Sequence, residues 1–274
     1  MLRRIFSVAL LTSILASSSA AQAAAAKHAQ VELISCVSAV APGNILTLGV
    51  HFILEPGWHI YWINPGDSGQ PPSLEWQLPP RFTAGEIQWP RPEKLQSSPT
   101  LADYGYHDDV LLMVPIRVPA EKNAARSFDF AVQAKWLICR EVCIPDHAQL
   151  RLTLPQGVAS PNPNTAMLYA RTIRLLPRPW PAKWIATAES RKEDFLLTVD
   201  FGRPVGRAEF YPLAKAQVEN SAAQQVKAIP RGCTISIKKS DLLLKPVSTL
   251  RGVILLDGQA FQISANVKAQ VALK

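Results

Sequence analysis

Along this chain, apolar and polar positions alternate with a period of two far more often than with the 3.6-residue period of a helix. Residues 45–54, 110–118, 127–138 and 148–154 have strand length and this alternation. So do residues 195–201, 208–211, 234–238, 252–256 and 260–267. Asp257-Gly258, between the last two, predicts a tight hairpin turn. One stretch, residues 165–176, reads as helix, with Asn164 or Thr165 as its candidate cap and Pro177 as its stop. Prolines crowd both flanks of that helix, from Pro155 to Pro163 and again at Pro177, Pro179 and Pro181. Short strands, Pro and Gly turns and one Pro-bracketed helix predict an all-β protein of two β-sandwiches, over residues 27–156 and 182–274. A Pro-rich linker with a short helix, residues 157–181, joins them.

The most informative pattern runs from Phe128 to Leu154. Phe128, Phe130, Val132, Ala134, Trp136 and Ile138 share one parity, and Asp129, Gln133, Lys135 and Cys139 share the other. On the return, Ala148, Leu150, Leu152 and Leu154 are apolar, whereas Cys143, His147, Gln149, Arg151 and Thr153 oppose them. A three-residue loop of Arg140, Glu141 and Val142 sets Cys139 opposite Cys143 and Trp136 opposite Asp146, so the two apolar faces coincide. An unbroken strand would hold the cysteine Cα atoms roughly 13 Å apart, too far for a disulfide; the hairpin brings them to about 4.5–5.5 Å. Pro145 shares the parity of Cys143 and fits where its missing N–H points away from the partner strand. Two uses of such a pair stay open: a structural staple, common in exported proteins, and a reactive dithiol. The loop it closes is tiny, so the chain-entropy gain of a staple is small. Arg140 favours a thiolate and Glu141 opposes it.

Composition and charge narrow the setting. A basic Leu2-Arg3-Arg4, an apolar run from Ile5 to Ala16 and a small-residue stretch with Ala21-Gln22-Ala23 form a secretory leader, residues 1–26, with the mature chain starting near Ala24. The apolar run is too short for a membrane span, no later segment is long and apolar enough for one, and no cysteine follows the cleavage pattern to take a lipid. A free periplasmic protein, not inserted in the membrane, is the expected product. The net charge of +8 includes Arg3 and Arg4 of the leader, and the remaining cations are scattered singly. That excludes a nucleic-acid patch.

Several motifs, in this order, resemble the amino-terminal periplasmic domain of DsbD-type thiol:disulfide interchange proteins. They are Gly57-Trp58-His59-Ile60-Tyr61-Trp62, Asn64-Pro65-Gly66-Asp67-Ser68-Gly69, Trp89-Pro90, Tyr104-Gly105-Tyr106 and Trp136 to Pro145. The likeness is nearest to the ScsB branch, linked to copper tolerance; it is dense over residues 30–155 and weaker in the second module. The resemblance implies immunoglobulin-like sandwiches. In the first, Cys139 and Cys143 would pass reducing equivalents to oxidised periplasmic proteins. Tyr61 and Tyr104 would line or cover the pair, as part of a cap loop from Asp103 to Tyr106. Leu101-Ala102 stand where acidic residues precede the cap in the DsbD pattern, leaving only Asp103. No membrane-embedded electron conduit and no thioredoxin module are visible, so a separate membrane protein of the DsbD/ScsB transmembrane type is the expected donor.

The other residues add alternatives. His59 and Tyr61 share a parity and reach toward the thiols from a neighbouring strand, although a buried histidine with a purely packing role reads the same way. Trp58, Trp62, Trp76 and Trp89 read as core aromatics, and His107 and His147 as solvated. Cys36 and Cys233 read as two buried free thiols. No dinucleotide loop or haem attachment motif is visible, so no cofactor is expected, and no metal site is assigned. The alternatives to thiol-disulfide exchange are a Cu(I) carrier, since soft thiolates select Cu(I), and a non-catalytic interaction module with a structural disulfide. Only three methionines and no His-rich tract weigh against the carrier.

Overall fold

The computed structural model describes residues 24–121 and 125–269; the leader lies outside them, apart from its last three residues. The first module runs through β1 (Ala24–Ala26), β2 (Ala29–Ser35), β3 (Ile45–Leu54), β4 (His59–Gly66), β5 (Ser73–Gln77) and β6 (Thr83–Ala84). It continues with β7 (Glu93–Ser98), β8 (Leu101–His107), β9 (Asp109–Arg117), β10 (Ser127–Cys139) and β11 (Cys143–Pro155). One sheet has the order β1-β2-β3-β9-β6, and the other β11-β10-β4-β8-β7 with β5 added to β10. The immunoglobulin-like sandwich expected from the sequence is what forms.

Its core follows from the alternation. The even-numbered residues of β10, Phe128 through Ile138, pack with Leu48, Val50 and Phe52 of β3 and with Ile60 and Trp62 of β4. Phe130, Val132, Ile138, Leu48, Val50 and Phe52 are fully buried. Each such side chain contributes roughly 1.5–3 kcal/mol relative to exposure.

After β11 comes α1 (Ala166–Leu175). Thr165 stands at the N-cap without capping; its hydroxyl instead donates to the carbonyl of Ser35 at 2.7 Å. The helix ends at Leu176, which is extended (ψ 136) because Pro177 disfavours helical backbone before it. Tyr169 is buried with Ile34, Leu111 and Met113, and its hydroxyl donates to the carbonyl of Ile34 at 3.0 Å. The stretch read as a linker is therefore folded against the first module. The candidate cap and the bracketing prolines gave the helix but not its docking partner.

The second module contains β12 (Ile185–Ser190), β13 (Asp194–Asp200), β14 (Ala208–Pro212), β15 (Gln225–Ile229), β16 (Gly232–Lys238), β17 (Thr249–Leu256) and β18 (Gln259–Ala269). These make one sheet, β14-β17-β18-β12-β13-β16-β15, which curls until β14 lies near β16 around its own apolar core. Asp257 and Gly258 turn the β17–β18 hairpin with φ of 48° and 84°, the doubly positive geometry of a primed turn. Among the described residues, no helix is long and apolar enough to cross a membrane.

The modules meet through residues 211–222 of the second and through Val253 and Ala260, which are buried with Tyr211 in the same apolar cluster as the first module's core. Tyr211 stacks edge-on against Tyr104 with ring centroids 5.5 Å apart. The buried Asn64 side chain donates to the carbonyl of Pro212 at 2.8 Å, and Lys94 donates to the carbonyls of Ser221 and Ala222 at 3.3 Å each.

Candidate redox site

The hairpin places the two cysteines as its alternation requires. β10 pairs with β11 from Ser127↔Pro155 to Cys139↔Cys143, with Trp136 opposite Asp146. Cys139 and Cys143 are disulfide-bonded across the end of this ladder, with Cα atoms 4.2 Å apart. Both point away from the main core, but they differ sharply in access. Cys143 is exposed, whereas Cys139 is 2% exposed, because the neighbouring strand carries side chains over it.

Those side chains come from β4 and β8. Cys139 faces His59 across the β10–β4 pair, and His59 faces His107 across the β4–β8 pair. Directly opposed residues project to the same side of a sheet, so Cys143, Cys139, His59 and His107 form a row across four strands. The His59 ring lies 5.8 Å from that of His107, centroid to centroid, and 5.2 Å from that of Tyr61. Burial lowers the His59 pKa and the nearby His107 lowers it further, while Asp103 opposes them. His59 is thus neutral near pH 7. Its Nε2 is buried without a hydrogen-bond partner among the described residues.

Tyr61 completes the cover. Its hydroxyl lies 3.3 Å from Cys143 Sγ, and a disulfide sulfur carries no proton, so the phenol donates. Burial raises the Tyr61 pKa, which keeps it a donor. Over the ring lies the turn of residues 66–69. A Cβ at Gly69 would stand 2.2 Å from a ring carbon of Tyr61, and Gly66 and Gly69 both adopt positive φ (92° and 75°). Only glycine makes that approach and that backbone together without strain. Asp103 fastens the turn, accepting from Ser68 N and Ser68 Oγ at 2.8 Å each, while Asp67 accepts from the Ala102 amide at 2.8 Å.

The candidates proposed from sequence therefore separate. Cys139, Cys143, His59, Tyr61 and Asp103 come together. Tyr104 and Tyr106 do not, because residues 101–107 form the strand β8, between β4 and β7, rather than a cap loop. Their parity sends them into the sandwich core, on the face opposite the cysteines. Tyr106 donates to the carbonyl of Pro90 at 2.8 Å and Tyr104 to Asn220 at 3.1 Å. Gly105 serves close packing rather than a bend, since a Cβ there would meet the Ile60 carbonyl at 2.2 Å. Arg140 lies over the Trp58 ring, 5.2 Å from its centroid. The cover that does exist is the turn of residues 66–69; two glycines within four residues beside an aromatic strand are its available signal.

Residues 28–155 match the sequence family described as thiol:disulfide interchange protein DsbD, N-terminal. No curated protein matches this chain. The DsbD-type segment and the second module together resemble the N-terminal periplasmic domain of ScsB from Proteus mirabilis. The TM-score is 0.65 at 16% identity, over 88% of this chain and 94% of that one. At that identity the likeness is one of fold, and it extends over both modules. The periplasmic chaperone SfaE aligns at 11% identity with a TM-score of 0.21, too low to carry an argument.

The two cysteines outside the DsbD-type pair are free. Cys233 is buried as expected, but Cys36 is only half-buried beside the docked helix. Burial pushes the Cys233 thiol up to about 11. Since thiolate is the reactive form, native-state labelling at pH 8 is expected to modify Cys36 and leave Cys233 untouched until the protein unfolds. Mass mapping of the labelled peptides checks this.

Proposed function

We propose that the Cys139–Cys143 pair is the redox group of a periplasmic thiol-disulfide exchange protein. The single observation that carries this reading is the disulfide at the end of the hairpin, with Cys143 open to solvent and Cys139 covered. In the reduced protein the Cys143 thiolate attacks one sulfur of a partner disulfide in line. The partner's other sulfur leaves as thiolate and takes a proton, giving a mixed disulfide. Cys139 then loses its proton and attacks Cys143 Sγ, releasing the partner's second thiol. Two electrons and two protons pass to the partner, and the pair returns to the disulfide. Tyr61 favours the first step by donating to the Cys143 thiolate, and neutral His59, beside Cys139, is positioned to accept its proton in the second. An open groove of about 700 Å³, lined by Gln70, Trp136, Leu137, Pro145 and His147 among others, runs beside the hairpin and gives a partner's chain room to approach.

The electron donor is a separate membrane protein of the DsbD/ScsB transmembrane type, and the acceptors are oxidised periplasmic proteins. A contribution to copper tolerance fits this chemistry, because copper oxidises exposed thiols and a dithiol donor reverses the damage. The copper-carrier alternative has no observation in its favour; among the described residues no three His, Cys, Asp or Glu side chains gather to hold a metal ion.

Trapping tests the assignment. In the native host, Cys139→Ala is expected to accumulate mixed disulfides through Cys143, released by reductant, and Cys143→Ala is expected to accumulate few or none. Absence of any covalent partner in both variants, with the wild-type pair reducible only after denaturation, would falsify the exchange reading in favour of a structural staple.

A further inference from the structure

We infer that the second module acts on the redox site, with Asn220 as a positioning residue that holds the turn of residues 66–69 down on Tyr61 and so controls how Tyr61 stands against Cys143 Sγ. The inference rests on the exchange reading above and extends it to the second module.

The connection can be followed atom by atom. Asn220 is buried, and its amide nitrogen donates to Asp67 Oδ1 at 2.6 Å while its amide oxygen accepts from the Tyr104 hydroxyl at 3.1 Å. Tyr104 thereby fixes which way the amide points. The other oxygen of Asp67 accepts from the Ala102 amide, so the carboxylate bridges the two modules at the start of the turn. The next residue, Ser68, is held by Asp103, and the one after it, Gly69, lies against the Tyr61 ring. Tyr61 in turn reaches Cys143 Sγ. A second clamp lies on the other side of the turn. The Asn64 side chain donates to the carbonyls of Pro212 and Ala214 in the second module and accepts from the amide of Gly66 at 3.2 Å.

These contacts have a physical consequence. Residues 66–69 include two glycines with positive φ, and Asp67 and Ser68 are exposed, so little apolar burial holds the turn. Its position is decided by hydrogen bonds; of those made across the module boundary, Asn64 to Pro212 is buried, and Asn220 to Asp67 is part-buried and charge-assisted. Loss of the Asn220 bond leaves the exposed Asp67 carboxylate to water, and the turn relaxes with it.

The test uses the full chain with Asn220→Ala, and with Asn220→Ser as a milder variant too short to bridge to Asp67. Iodoacetamide alkylation of reduced Cys143 is followed as a function of pH, beside thermal unfolding and hydrogen exchange at Ser68 and Gly69. The expected result is about a tenfold higher rate at high pH, where the thiol is fully ionised. The pH midpoint should move upward as the Tyr61 hydrogen bond weakens, and exchange should be faster at the turn. Asn220→Asp, which sets a carboxylate against Asp67, should do the same. If one variant fails to fold, the others carry the test. Rates and midpoints within twofold of wild type in any folded variant that has lost the Asn220–Asp67 bond overturn the inference. Partner reduction by wild-type protein, measured in parallel, separates the two readings: its failure removes the exchange function, whereas its success with unchanged variant kinetics removes only the role of Asn220.

Discussion

Replacing Tyr61 with Ala is expected to raise the limiting rate, at high pH, at which reduced Cys143 reacts with a small alkylating reagent by about tenfold, corresponding to roughly 1.4 kcal/mol of shielding lost on the Tyr61 side of an otherwise exposed residue. The ring is 1% exposed, touches the His59 ring and supports Gly69, and its hydroxyl is 3.3 Å from the sulfur. Truncation removes the wall beside Cys143 and the surface on which residues 66–69 rest. Tyr61→Phe separates the two contributions. It keeps the wall, so the limiting rate at high pH should match wild type. It also deletes the donor, so the thiol should ionise at higher pH, because a hydrogen bond to the charged form is what favours that form. Equal pH midpoints for wild type and Tyr61→Phe would show that the phenol does not reach the thiolate, and an unchanged limiting rate in a folded Tyr61→Ala would remove the cover from the mechanism.

The parts of this molecule that were legible in the sequence are those governed by local period. β3 and the facing registers of β10 and β11 follow from alternation alone, because a one-residue slip would turn every apolar side chain to water. The cysteine pairing came with that register. β8 was not legible as a strand, and β4 only as the neighbouring strand that His59 and Tyr61 share. Buried on both faces over much of their length, they lack alternation, and they carry Pro65, Gly66 and Gly105, which read as turn signals. That omission misplaced the cover. With β8 taken as a loop, Tyr104 and Tyr106 seemed free to bend over the sulfurs; in a central strand their parity commits them to the core, and Tyr61 on β4 takes the place beside Cys143.

The meeting of the two modules was beyond reach for a different reason. Asn64, Asp67 and Asn220 are turn-type residues, and nothing local distinguishes a turn that meets water from one that meets another module 153 residues away in the chain. Apolar patterning gave no warning either: Tyr211, Val253 and Ala260 are buried in the same cluster as the core of the first module, and period-two alternation does not say whose core a strand's apolar face joins.

Tyr104→Ala is accordingly expected to be among the most destabilising single changes, by about 3–5 kcal/mol, the range for truncating a buried aromatic. The ring is 2% exposed, lies edge-on to Trp62 at 6.4 Å and to Tyr211 at 5.5 Å, and so joins the core of the first module to the second. Its loss also leaves the Asn220 amide oxygen without its donor in a buried site. For a chain of this size each kcal/mol lowers the melting temperature by roughly 2–4 °C, so a fall of about 10 °C is expected. The shape of the transition is the sharper readout. Coupled modules melt together, and removing the shared ring should split the calorimetric transition into two, the lower one accompanied by faster alkylation of Cys143. Tyr104→Phe keeps both ring contacts and removes only the hydroxyl, so it should cost about 1 kcal/mol and leave a single transition. A Tyr104→Ala protein that melts in one step at the wild-type temperature would show that the modules are held together elsewhere.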